Sequence, residues 1–320
     1  MSLKERADRV QRRHAALAFP VAVLKKYSED GSSNLATAIA FWAFFSIFPL
    51  FLVFVTVLGY VLPASDKTDV LTHVARLFPL LDPESVKGLS GSWWPFVVGG
   101  ATALWSGLAV VKAVQFAFNS IWEIPEKDRP GMLEQVERGL LTLFTIGLGL
   151  VAATMLSGFV TGKDSGVNLG VAGHVAGYVI AIVLDVGLFA VAFRMLTDRR
   201  VSTRDVIPGA LLAGVSFWVL QQVSSYIISR RLAGAQVTYG RFATVITILW
   251  WFYLQAQVTL LGAQLNVVLR ERLYPRSIAG GSETDGDRRA LAAYAEERTY
   301  SPEQEADTRF RRQRVRRRAS

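Results

Sequence analysis

Six stretches of this chain, near 35–62, 94–118, 139–161, 172–196, 206–229 and 242–269, are apolar for about twenty residues or more. An α-helix rises ~1.5 Å per residue, so each stretch is long enough to cross ~30 Å of hydrocarbon. No alternating pattern marks strands, and inside lipid only helices and closed barrels satisfy their own backbone groups. The expected fold class is therefore all-α, a polytopic membrane helix bundle of about six transmembrane helices. Composition agrees, with 51% hydrophobic residues in 320 and a mean hydropathy of +0.31. The first apolar run follows some 34 polar and basic residues. It exceeds the ~7–15 residues of a signal-peptide core, so it is expected to be retained.

Lys and Arg set the orientation of such a bundle, because they concentrate on the cytoplasmic side. Residues 1–34, the loops after the second and fourth spans with Arg194 beside the latter, and the tail from Arg270 together hold 27 of them. The alternate loops hold 7, including Arg230, Arg231 and Arg241 in 230–241, and Lys112 falls within a span. Both termini are expected in the cytoplasm, which an even number of spans requires.

Three regions follow. Residues 1–34 form a basic cytoplasmic arm with Val10, Leu17, Val21, Leu24 and Tyr27 at helix-like spacing. That pattern suits either an amphipathic helix on the anionic inner leaflet or a merely topogenic arm. Residues 35–270 form the six-span membrane domain. Residues 271–320 are polar and mixed in charge and read as a disordered tail. Seven of the eleven residues from Arg309 to Ala319 are Arg. The tail could meet anionic lipid or nucleic acid, or serve as a solvated cationic end. Membrane lipid headgroups are the expected partners of the basic arms, nucleic acid is not, and a homo-oligomer is compatible with everything in the sequence.

Pro49 lies inside the first span, where it removes a hydrogen bond and frees the carbonyl of Phe45. A kink is expected there, with Ser46 helping to satisfy the freed groups. Gly158 and Gly162, Gly166 and Gly170, and Gly173 and Gly177 are each four apart, a spacing that lets helices approach closely in lipid. Pro208 is expected in the first turn of the fifth span, where no amide hydrogen is needed.

Ionisable and amide side chains within spans are expensive and mark candidate sites. Lys112 and Asp185 both fall in the inner half of their spans, and an ion pair, a gate or a snorkelling lysine each fits. Gln221 and Gln222 lie toward the outer end of the fifth span. In the sixth, "ILWWFYLQAQVTLLGAQLN" (248–266) carries Gln255, Gln257, Gln264 and Asn266. At ~100° per residue Gln255 and Asn266 fall within ~20° of each other. Gln257 and Gln264 form a second stripe roughly opposite. Two opposed polar stripes cannot both face lipid, so the sixth span is expected to be enclosed, by protein on both sides or by protein and a polar cavity.

"TAIAFWAFFSIFPLFLVF" (37–54), "LWSGLAVVKAVQFAFNSIW" (104–122), "IPGALLAG" (207–214) and "VTYGRFATVITILWWFYLQAQVTLLGAQLN" (237–266) resemble blocks of the YihY/virulence factor BrkB family of bacterial inner-membrane proteins. The likeness covers roughly residues 25–270. Its more specific parts are the Ser–Pro of the first span, the loop Thr238-Tyr239-Gly240, and Gly262-Ala263-Gln264-Leu265-Asn266. Many relatives carry Glu at the position of Gln264, so this chain keeps the polarity there without the charge. The resemblance implies about six spans, cytoplasmic termini and a bacterial inner-membrane location. It also brings a former ribonuclease BN label, envelope phenotypes and a suggested role in lipid export.

Metal-assisted RNA hydrolysis needs His and carboxylate ligands gathered around an ion. The three histidines, His14, His73 and His174, are spread over both sides of the bundle, and the acids of 123–137 read as a solvated loop face. No Gly-rich phosphate loop is present and there is no cysteine, so neither an enzyme nor a cofactor is expected. Two readings stay open. One is transport or export of a lipid-like or amphipathic substrate, with the intramembrane polar residues as path or gate. The other is a non-transporting envelope scaffold.

Overall fold

The structure is a computed structural model that describes residues 3–61, 93–161, 170–199, 201–239, 242–278 and 283–310. Among these residues it is all helical apart from turns and short links. Two short helices come first, α1 (Leu3–Arg13) and α2 (Ala15–Glu29). Six long ones follow: α3 (Ser32–Val61), α4 (Trp93–Ile121), α5 (Met132–Thr161), α6 (Gly170–Met195), α7 (Thr203–Tyr239) and α8 (Phe242–Arg270). A last helix, α9, spans Asp285–Glu297. Within α3, α4, α6, α7 and α8 the described residues include stretches long and apolar enough to cross a membrane. The third expected span, 139–161, falls on α5, where side chains beyond residue 149 are outside the described set.

The long helices pack in a ring, each touching the next: α4 on α3, α3 on α8, α8 on α7, α7 on α6, α6 on α5 and α5 on α4, and α8 also touches α4 across it. Large apolar side chains such as Leu141, Phe144, Leu148, Val179 and Val183 stay exposed. That is the pattern of a bundle whose outer surface meets hydrocarbon. The closest approach is between α7 and α8. A Cβ on Gly209 would lie 2.0 Å from the carbonyl oxygen of Gly262, and one on Gly262 would lie 2.6 Å from that of Gly209. Only glycine fits at this crossing, which accounts for Gly209 of "IPGALLAG" and Gly262 of "GAQLN".

Several expectations change. α7 runs ten residues past the expected end at 229, so most of the loop 230–241 is helical backbone. Pro208 sits sixth in α7, inside the helix and beyond its first turn. Pro49 lies within the unbroken α3, and the buried Ser46 hydroxyl donates to the Ala43 carbonyl at 2.7 Å, leaving the Phe45 carbonyl to other partners. The basic arm forms two helices, α1 and α2. α2 packs on α8 and buries Ala18, Ala22, Val23 and Lys26, while Val10, Leu17 and Leu24 stay exposed. The tail is not disordered from 271, since α9 is a capped helix. The side chain of Thr284 accepts from the Asp287 amide, and the Asp287 carboxylate accepts from the Thr284 amide. The glycine pairs at Gly158 to Gly177 lie outside the residues whose side chains are described, Gly177 excepted, and so do His73 and Gly240.

Candidate functional site

One end of the bundle of α3 to α8 meets α2 and α9, and this end is charged. α2 finishes on "KKYSED" (25–30), which places Lys26 one turn before Asp30 and Lys25 one turn before Glu29. The first pair is turned into the bundle. Lys26 is fully buried, with Nζ 2.8 Å from Asp30 Oδ2 and bonded also to the Glu123 carboxylate just beyond α4. Gln264 Nε2 donates to Asp30 Oδ2 at 2.6 Å and to Ser32 Oγ at 2.9 Å. Tyr294 of α9 donates its hydroxyl to Asp30 Oδ1 at 2.7 Å, and its ring centroid lies 5.3 Å from Lys26 Nζ. A cation over an aromatic face is stabilised by the ring quadrupole, so Tyr294 supports both charges of the pair.

Glu123 reaches Lys26 through an unusual backbone. The Ile124 amide donates to the Asn119 carbonyl at 2.9 Å and the Glu123 amide to that of Ser120 at 3.2 Å. This is the Schellman ending of a helix, in which glycine usually occupies the left-handed position. Here Glu123 takes it, with φ 45°. A side chain held in that region costs about 1–3 kcal/mol, so the surrounding structure must hold it there. Burial above all pushes the Glu123 carboxyl up to about 7; Asp30 and Glu297 add to the rise and Lys26 opposes it. For Lys26, burial acts against its charge, but Glu123 and Asp30 outweigh it and raise its affinity for the proton.

The second pair ties down α9. Asp287 accepts from Lys25 Nζ at 2.8 Å, Arg276 Nε at 2.8 Å and the Ser277 amide at 3.0 Å, and Arg276 also reaches Glu29 at 2.5 Å. Burial pushes the Asp287 carboxyl up, but the hydrogen bonds from Lys25, Thr284 and Arg276 outweigh it and hold it well below the usual carboxylate range. A cavity of about 570 Å³ opens beside Glu123, lined by Trp122, Glu123, Asp198, Glu271 and Arg289 among others.

Deeper in the bundle, the two stripes of α8 meet protein on both sides. Asn266, fully buried, accepts the Gly209 amide of α7 on its Oδ1 at 2.6 Å. Pro208 interrupts the local ladder, and the amide supplies an acceptor for the next N–H. On the other face, Gln264 holds the α2–α3 turn, and the Tyr253 and Ser33 hydroxyls lie 2.6 Å apart. Gln255 is partly buried, and its side-chain oxygen has no partner among the described residues. Gln257 is also partly buried, whereas Gln221 and Gln222 are exposed on α7. Lys112 and Asp185 are not brought together as an ion pair. Lys112 is exposed on α4, Asp185 is half-buried on α6, and no ion pair involves either among the described residues. Thr238 and Tyr239 close α7, with side chains outside the described set.

Sequence reasoning missed Lys26, Asp30, Glu123 and Tyr294. Glu123 was expected on a solvated loop face and is buried against Lys26. The helical spacing of Lys26 to Asp30 and the Thr284-to-Asp287 capping pattern were signals available in the chain. Among the described residues no group of three or more His, Asp and Glu side chains is placed to hold a metal ion.

Residues 23–286 match the family described as Virulence factor BrkB. The chain is 24% identical over 274 residues to the ribonuclease-like protein YfkH of Bacillus subtilis, an alignment covering 80% of this chain and 96% of that protein. It is 25% identical over 259 residues to a UPF0761 membrane protein of Alcanivorax borkumensis, covering 78% of this chain and 59% of the relative. It is also 25% identical over 284 residues to the UPF0761 membrane protein RSc1559 of Ralstonia nicotianae, covering 81% and 61%. The chain thus spans about three-fifths of the UPF0761 relatives. No solved structure matches it.

Proposed function

The chain belongs to the virulence factor BrkB family, and from that premise we propose that it moves a lipid-like or amphipathic substrate across the bacterial cytoplasmic membrane. In this reading it crosses six times and keeps both termini inside. The observation that supports it most is the ring of long helices, whose charged end is closed by a buried plug. Phe193 of α6 is buried against Phe118 of α4, which is not its neighbour in the ring, with centroids 5.2 Å apart. That contact marks the inward face of α6. Phe189, one turn back, packs on Phe193 and on Phe217 of α7. Asp185, a further turn back, lies on the flank of this face, so an ionisable group borders the ring interior beyond the plug. Gln264 and Asn266 bond to neighbouring segments, which leaves Lys112, Asp185, Gln221, Gln222, Gln255 and Gln257 as the groups for a path. A scaffold role is the second reading, supported by the folded charged end that projects beyond the long helices.

Purified protein in liposomes tests the two. The transport reading expects labelled lipid or amphiphile to move faster than in empty liposomes. Asp185→Asn should slow that movement about tenfold while leaving thermal unfolding unchanged. Wild type indistinguishable from empty liposomes across lipids and solutes would leave the scaffold.

A further inference from the structure

The buried node at the charged end is unbalanced. One ammonium, Lys26, faces two carboxylates, Asp30 and Glu123, all three buried or nearly so. Among the described residues, the cations around Glu123 are bonded elsewhere. Arg129 binds Glu126 at 2.6 Å and Glu297 at 3.2 Å. Arg199 binds Glu271 at 3.1 Å, and Arg289 of α9 donates to the Arg272 carbonyl. The remaining groups that face Glu123 are acidic: Asp128 from its own loop, Asp198 from the α6–α7 link, and Glu296 and Glu297 from α9. Asp30 is the better-served carboxylate, since Gln264 and Tyr294 both donate hydrogen bonds to it beside Lys26. Glu123 has Lys26 on one side and the 570 Å³ cavity on the other. Asp30 also borders a cavity, so access does not separate the two. Two like charges sharing one buried counter-ion cannot both stay ionised cheaply, and the network takes up a proton at the member with fewer hydrogen bonds, Glu123.

We propose that Lys26, Asp30 and Glu123 form a proton-binding site, loaded from the cavity at the charged end, and that a proton on Glu123 releases α4 from α2. The carboxylate becomes a neutral acid, Lys26 keeps Asp30 as its full counter-charge, and the ionic tie between the two helices is lost. The left-handed backbone at Glu123 then loses its ionic tie and keeps only the two hydrogen bonds of the helix ending, which favours a relaxed end of α4. Burial that lifts Glu123 to about 7 places this loading near neutral pH. The inference does not depend on what substrate the ring carries, and its test requires no transport.

The full-length chain has no cysteine, so single labels can be placed freely. In nanodiscs, infrared difference spectra between about pH 5 and pH 9 should show one buried carboxylic acid appearing with a midpoint near 7. Spin labels at Ser28→Cys and Met132→Cys should report a broader, longer distance below that midpoint. Glu123→Gln should abolish the infrared band and hold the longer distance at every pH. Asp30→Asn restores one charge against one, so the midpoint should fall by at least about one unit, a tenfold weaker proton affinity. A wild-type protein with no titrating acid in this range overturns the site. So does a band that survives Glu123→Gln, or an unchanged midpoint in Asp30→Asn. A titrating band with an unchanged distance overturns the release.

Discussion

Asn266 shows how a single amide can decide a helix crossing in lipid. Its Oδ1 takes the Gly209 amide next to Pro208, and glycines on both helices let the backbones close around it. Asn266→Leu leaves a buried N–H unpaired, which should cost about 1–3 kcal/mol. Gly209→Ala is expected to be worse, because its Cβ would meet the Gly262 carbonyl at 2.0 Å, where no flexible side chain can give way. Unfolding midpoints in detergent should therefore fall for both, more for the glycine. A Gly209→Ala protein as stable as wild type would sink this account. The polarity of Gln264 and Asn266 was legible, because amides at a helical angle to one another report which faces need partners. Glu123 was not legible, since nothing in a run of loop acids tells which one folds back onto a lysine nearly a hundred residues earlier.

At the scale of elements, α9 is where local chemistry and tertiary contact meet. Thr284 and Asp287 announce the start of a helix, and the same Asp287 carboxylate then anchors that helix to Lys25 and Arg276. Its affinity for protons is held below the ordinary range in the folded state, so ionised Asp287 contributes stability at every pH above the unfolded value near 3.8. That contribution disappears as pH falls through the lower, folded value. α9 should undock in strong acid, in a window well below the one set by Glu123. Asp287→Asn should undock it already at neutral pH, read as faster hydrogen exchange across 285–297 and quicker tryptic cleavage at the exposed Arg288 and Arg289. Unchanged exchange in that variant would place the anchor elsewhere. The expected disorder of this region failed because polar composition argues against a core of its own, and α9 has none: it borrows one from the bundle by burying Ala290 and resting Tyr294 on Lys26.

The described residues form a helical ring with one charged end, and the proposed orientation, drawn from the distribution of Lys and Arg, puts that end in the cytoplasm. Single cysteines at Ser28, Asp128 and Glu296 should then resist a membrane-impermeant thiol reagent in intact cells and react in inverted vesicles. Labelling of any of them from outside would overturn the orientation. Length and hydropathy, read along the chain, were enough to establish a membrane-spanning helical protein, because a long apolar helix has few alternatives to lipid. The stripes of α8 went further and required that helix to be enclosed. Only the tertiary structure decided what encloses it: α7 on one face, the α2–α3 turn on the other. It alone also brought Lys26, Glu123 and Tyr294 together, and left Lys112 and Asp185 without an ion pair. The physical reason is range. Periodicity and hydropathy act within one helix, whereas a buried charge finds its partner across the bundle, where sequence distance carries no information about proximity.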